Sequence, residues 1–249
     1  TKPFWVLFGL CHQGNFNRRH TQKNKKYIEI MSRKKRDNEI EIVGENIEES
    51  GFSLIADFQE GGFKYEENEF TDMRIPVLPL RNMVLFPTTV LPVSVGRESS
   101  LRLIKKLEKS KGTMAVVCQK DPATEDPGLT DLYPVGTTAR IIRVFDMPDH
   151  STTVILQGLQ KVELKSIVGT SPYLVGEVDS KSEQQDINND EFRLLLKSCR
   201  DSALKIFKSS EGLQEAAFAV KNMEDGMPLV NFLCANIKMP VREKMALLA

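Results

Sequence analysis

Residues 74–96, RIPVLPLRNMVLFPTTVLPVSVG, set Pro76, Pro79, Pro87 and Pro92 among apolar residues with few charges. Proline has no backbone N–H and a fixed φ, so a stretch this rich in it is confined to strand starts, edges and bulges. Between the prolines lie three apolar bursts, at 75–80, 83–86 and 90–95. Each reads as a short, buried or half-buried strand. The stretch therefore predicts a tightly turned β-module.

After Gly96 the pattern changes to RESSLRLIKKLEKSKG. Leu101, Leu103, Ile104 and Leu107 share one face, and Lys105, Lys106, Glu108 and Lys109 the other, which predicts an amphipathic helix stopped by Gly112. Extended patterns follow at 113–119, 135–145, 152–156, 162–168 and 173–178. They are separated by a Pro/Gly loop at 120–128, a turn at 147–151 that holds His150, by Gly158, and by 169–172. One helix among many short strands implies a compact, partly closed β-barrel.

Around Ser180 the period of two ends. A polar linker leads to Asn188 and Glu191, spaced as a capping box. Phe192, Leu195, Leu196, Cys199, Ala203, Ile206 and Phe207 then repeat at helical spacing until Gly212. A second helix is expected at 213–222, a third opened by Pro228, and a fourth from Val241 that is still running at the last residue, a pattern expected of a fragment. The fold class is α+β, with domains at 1–73, 74–180 and 188–249. The first of these is expected to be mostly disordered, the second is the β-domain, and the third is a helical bundle subdomain.

Charge is distributed unevenly although the 249 residues sum to zero. Residues 1–36 hold ten Lys/Arg against one Glu, and residues 37–72 hold twelve Asp/Glu against one Lys. The remainder, with 23 basic and 21 acidic groups, is nearly neutral. Phosphate binding needs a concentrated positive surface, so no nucleic-acid groove is expected in the folded region, and DNA binding through the basic run at 33–36 is disfavoured. Met31 is expected to be the authentic start, with 1–30 lying upstream of it. Apolar residues between Phe52 and Tyr65 are candidates for docking on the domain or on a partner.

No apolar run approaches the roughly 18 residues of a spanning helix, and no membrane partner is expected. Cys11, Cys118, Cys199 and Cys234 are widely spaced, three of them within apolar patterns. Buried reduced thiols and a reducing compartment are the expectation. There is no phosphate loop, no nucleophile elbow and no HExxH, so no catalytic, cofactor-binding or metal-binding residue is assigned. An acidic loop at Asp121, Glu125 and Asp126 reads as solvated.

The motifs also carry a resemblance. Pro-Val-Leu-Pro-Leu-Arg ending at Arg81, Leu85-Phe86-Pro87 and Pro92-Val-Ser-Val-Gly-Arg-Glu98 are followed by Gln119-Lys120-Asp121, Glu125-Asp126-Pro127-Gly128, Asp131-Leu132-Tyr133, Val135-Gly136-Thr137 and Gly158-Leu159-Gln160. In this order they resemble the Lon protease N-terminal domain, over residues 74–249. The resemblance implies a PUA-like β-barrel or pseudobarrel and a role in recognising unfolded or tagged proteins. It also implies assembly as a homohexamer and a cytoplasmic setting, with the mitochondrial matrix as the alternative. For this chain alone it implies no enzyme activity. ATP and Mg would belong to a full-length ATP-dependent serine endopeptidase, and a stand-alone Lon-domain adaptor is the other reading. Arg81, Leu85, Phe86 and Pro87 are the candidate substrate-binding residues; the competing assignment makes Phe86 core, Pro87 a turn and Arg81 a surface cation.

Overall fold

The computed structural model describes residues 71–146, 152–181, 189–209 and 214–249, all within one unit of the chain, 40–249. Expectations for residues 1–70, including the Met31 start, the basic run and Cys11, lie outside the described residues. So do those for the His150 turn, Asn188 and Gly212.

Among the described residues six strands form one sheet: β1 (Met73–Leu80), β2 (Val90–Val95), β3 (Thr113–Cys118), β4 (Val135–Asp146), β5 (Thr152–Gly169) and β6 (Val175–Ser180). Their order is β2-β5-β4-β3-β1-β6, and β6 pairs with β5 as well. Five strands thus close a ring to which β2 is appended. β1 runs parallel to β3, with Val77 opposite Ala115, while the other pairs are antiparallel. A parallel pair needs a long crossover; here it carries β2 and helix α1 (Glu98–Ser110).

The apolar runs in β1 and β3 bury both faces. Leu78, Leu80, Met114 and Val116 join Leu103, Ile104 and Leu107 of α1 in one cluster. Ile75, Val77, Ala115 and Val117 join Val162, Leu164 and Val178 in another. Burial on two faces explains why these strands lack polar alternation. α1 ends as its amphipathic pattern predicts, but Lys111, at φ 51°, takes the left-handed position rather than Gly112. The glycine instead lets the chain close on Leu107, whose Cδ2 would stand 3.1 Å from an added Cβ.

Two expectations fail at one place. The sequence suggests that Gly158 separates two strands and that residues 83–86 form another. Instead β5 runs unbroken through Gly158, and 83–86 is irregular backbone crossing over it. Gly158 donates its N–H to the Thr89 carbonyl at 2.8 Å and accepts from Thr88 N–H at 3.0 Å. An added Cβ at Gly158 would lie 2.2 Å from the Phe86 carbonyl oxygen. The glycine marks a crossing of two backbones, not an end. Register shifts in the β4–β5 and β5–β6 pairings let the 18-residue β5 bend far enough to serve β2 with one half and β6 with the other.

Four helices follow: α2 (Asp190–Ser209), α3 (Gln214–Asn222), α4 (Met227–Asn236) and α5 (Val241–Leu248). Asn189 caps α2 by accepting the Glu191 N–H at 2.9 Å. Leu196, Ala203 and Phe207 of α2 pack with Ala216, Ala217 and Val220 of α3, and with Leu229, Phe232 and Leu233 of α4. The apolar stripe of α2 is wider in sequence than in burial: Leu195 and Ile206 are exposed, as is Cys199, so the expectation of a buried thiol fails there. Arg200 ties α2 to its neighbour by donating to the Val220 carbonyl at 3.1 Å and to Asp225 at 2.6 Å.

Candidate binding site

The residues singled out from sequence sit in two different places. Phe86 is 1 % exposed and packs with Val84, Cys118 and Val135 of the β-module against Ala235, Met245 and Leu248 of α4 and α5. Leu85, 3 % exposed, belongs to the cluster under α1, and its carbonyl accepts the buried Thr137 hydroxyl at 2.7 Å. Pro87 begins a turn in which Thr88 adopts φ 62°, and Thr89 Oγ1 donates to the Phe86 carbonyl at 2.7 Å. An aromatic side chain that seals the junction of sheet and helices cannot also line an open groove. The apolar docking surface expected at Leu85 and Phe86 is therefore spent on the fold. Burial at the same junction pushes the Cys118 thiol up to about 11.

Arg81 alone of the four is on the surface, where it pairs with Glu125 at 2.8 Å. That pair stands at the rim of a cleft of about 400 Å³ between β1, the start of α1, the 125–128 loop and the segment entering β6. Val77, Pro79, Leu103, Tyr173 and Leu174 supply its apolar lining; Arg97, Ser99, Ser100 and Thr170 supply donors, and Glu125 and Asp126 two carboxylates. Local sequence explains how each arrives. Gly96 ends β2 and Arg97 opens α1, so the arginine is delivered at the helix start. Its guanidinium Nη2 donates to Gln119 Oε1 and to the Thr124 carbonyl, the latter at 3.0 Å. Gln119 also donates to the Thr124 and Asp121 carbonyls, at 2.9 and 3.3 Å, and so holds the acidic loop in place. Burial holds Arg97 below the usual arginine range, and neighbouring Arg81 adds to this, against the opposing pull of Glu125 and Asp126. On the far wall Lys106 donates to the Tyr173 hydroxyl at 2.5 Å and lies 5.3 Å from its ring centre.

The acidic loop, solvated in its sequence pattern, also lines the cleft, and periodicity does not mark Arg97, Ser100 or Tyr173 as site residues. The only available signal was adjacency of Val-Gly-Arg-Glu to a helix start, which fixes Arg97 at the helix mouth but does not bring Tyr173 to it. A second set of exposed groups is apolar: Leu194 and Leu195 on α2 and Phe218 on α3 are 74, 59 and 70 % exposed.

A closed mixed sheet with a helical subdomain, a lined cleft and exposed apolar side chains defines a binding module. The sequence profile of the ATP-dependent protease La (LON) substrate-binding domain matches residues 74–249, and the chain belongs to that family. It is 44 % identical over 197 residues to the Lon protease of Parabacteroides distasonis, which covers 77 % of this chain and 23 % of that protein. With the Lon protease of Flavobacterium johnsoniae it shares 41 % over 184 residues, 73 % of this chain and 22 % of that one. The chain thus spans roughly a quarter of the length of these relatives. In three dimensions it is similar to the N-terminal domain of the Mycobacterium avium complex Lon protease, with a TM-score of 0.56 at 18 % identity, over 71 % of this chain and 90 % of that one.

Proposed function

We propose that this chain is the client-recognition and assembly segment of an ATP-dependent serine protease, working in the cytoplasm as part of a homohexamer. ATP, Mg and peptide-bond cleavage would belong to portions of the protein outside these 249 residues. The observation that carries the reading is the match of a substrate-binding domain to the whole described fold, sheet and helices together. Among the described residues no helix is long and apolar enough to cross a membrane. Among the described residues Cys118, Cys199 and Cys234 form no disulfide, which is compatible with a reducing compartment.

Clients that share no sequence share only exposed apolar side chains and unpaired backbone. With Leu85 and Phe86 buried, the contact falls to Leu194, Leu195 and Phe218, which stand open on α2 and α3. A patch of about 200 Å² contributes at most roughly 5 kcal/mol before ordering costs, so one copy binds at about millimolar affinity or weaker. Six copies change this, because a client held at one site meets the second at an effective concentration of about millimolar, for a gain of about a hundredfold. Fluorescence anisotropy with a reduced, carboxymethylated unfolded protein tests the reading. The single chain should bind barely measurably and a version fused to a hexameric scaffold about a hundredfold better, with the gain lost in a Leu194→Ser, Phe218→Ser double variant. Equal tight binding by both forms, or an unchanged double variant, refutes it.

A further inference from the structure

Two stretches of the chain answer one another in polarity and in charge. On the packed helices α2 and α3, Leu194, Leu195 and Phe218 are 74, 59 and 70 % exposed, and large apolar side chains left open on a surface mark a contact. The helix that carries the first two is basic. From Arg193 to Lys208, α2 holds five Lys/Arg against one acid, Asp201. Lys197, Lys205 and Lys208, together with Lys221 one turn beyond Phe218 on α3, are exposed and take part in none of the ion pairs among the described residues. Charge alone would not single out this face, because α1 presents Lys105, Lys106 and Lys109 on its own outer side. α1, however, leaves no large apolar side chain exposed.

Residues 52–70, which lie outside the described residues, carry the complement. Phe52, Phe58, Phe63, Tyr65 and Phe70 give this segment five aromatic rings, beside five Asp/Glu against one Lys. It ends where the described fold begins: Asp72 donates its N–H to Asp179 at 2.8 Å, next to the end of β6. That anchor sets its reach. The eleven residues from Asp179 to Asp190 place the start of α2 within about 37 Å of β6, and Leu194 is one helical turn, about 6 Å, further on. The twenty residues from Phe52 to Asp72 span up to about 68 Å, so the segment can reach Leu194 whatever course the connection to α2 takes.

We propose that residues 52–70 dock on the α2–α3 face of their own chain, with aromatic rings on Leu194, Leu195 and Phe218 and carboxylates on Lys197, Lys205, Lys208 and Lys221. The segment is then an internal competitor for that face. A tethered ligand of about millimolar affinity, held at an effective concentration of about millimolar, covers its site about half of the time and so halves access for anything else. Competition with clients rests on the client-binding reading above; the docking itself does not.

Cys199 supplies a reporter already present in the sequence, since it is exposed and lies one turn from Leu195 on α2. In the 249-residue chain, Phe58→Ser combined with Phe63→Ser should raise the rate of Cys199 alkylation by iodoacetamide about twofold, at an unchanged melting temperature. Contact is read directly by carbodiimide coupling of carboxylates to lysines in an equal mixture of light and heavy-isotope chains, followed by mass spectrometry. Carboxylates from Asp57 to Glu69 should join Lys197, Lys205, Lys208 or Lys221 of the same chain about threefold more often than Lys105 or Lys109 of α1, and the double variant should lose that excess. Coupling mainly between light and heavy chains assigns the face to a second copy, and coupling spread evenly over the lysines of α1 and α2 reduces the match to bulk charge. Either result overturns the proposal, as does Cys199 alkylation that the double variant leaves unmoved. Failure of hexamer-dependent binding through Leu194 and Phe218, with the coupling within one chain and the Cys199 protection intact, sinks only the client reading.

Discussion

Replacing Phe86 by alanine separates a core role for this residue from a docking role. The ring is 1 % exposed and touches groups from three places in the chain: Cys118 at the end of β3, Val135 at the start of β4, and Ala235, Met245 and Leu248 on the last two helices. A phenylalanine buries about 175 Å², worth roughly 4 kcal/mol at about 25 cal/mol per Å², and truncation leaves a cavity whose walls relax only in part. The expected loss is about 3–5 kcal/mol, a fall of roughly 6–20 °C in melting temperature for a domain of this size. Because the cavity opens between sheet and helices, amide exchange in α4 and α5 should accelerate before that in β3 and β4. Circular dichroism melts of the 249-residue chain, with hydrogen exchange read by mass spectrometry, measure both. Phe218→Ala serves as the control, since that ring is 70 % exposed and its loss should stay within about 0.5 kcal/mol. If Phe86→Ala melts within about 1 °C of the wild type, the junction is not closed by this side chain and the docking role for residues 85–87 returns.

Gly158→Ala should destabilise the chain by more than about 3 kcal/mol, because the new Cβ meets a backbone carbonyl at 2.2 Å that no rotamer change can move; a thermal melt within 3 °C of the wild type would refute the crossing. Cys118 supplies a pH test. With a folded value near 11 against 9.0 for the free thiol, its contribution is level below pH 9. It is then lost as pH rises, by roughly 2 kcal/mol at pH 11, because the unfolded chain ionises first. The urea midpoint of the wild type should fall relative to that of Cys118→Val over that window, and a constant difference would contradict it. In the same protein at pH 8, iodoacetamide followed by mass spectrometry should find exposed Cys199 labelled well before Cys118.

Much of the β-module can be read from residues 74–96 because proline, at four positions, removes most alternatives by geometry alone. The helix after Gly96 is equally legible, since Leu103, Ile104 and Leu107 recur with the period of the backbone that buries them. What the sequence conceals is contact between distant backbones. Nothing near Gly158 reports that Phe86 will cross it, so a glycine that permits close approach looks the same as one that ends a strand. In α2 the apolar period marks Leu195 and Leu196 alike, and only the placement of α3 and α4 decides that Leu196 is covered and Leu195 is not. The binding cleft was hidden for the same reason: Arg97, Gln119, Glu125 and Tyr173 come from four segments that periodicity treats separately.

Pairing of β6 with β1 joins Met73 to Val178, and this separation has a consequence for how the chain is made. During synthesis β1 leaves the ribosome first and can pair with β3 some forty residues later, but the other edge of β1 has no partner until β6 emerges. At roughly 5–20 residues per second, the hundred or so intervening residues leave that edge unpaired for about 5–20 s. For that interval the nascent module presents an open strand of the kind that recruits other chains. Met73 and Arg74 sit at the start of that strand, and Arg74, whose guanidinium later meets Glu177 at 3.1 Å, places a charge on the edge while it waits.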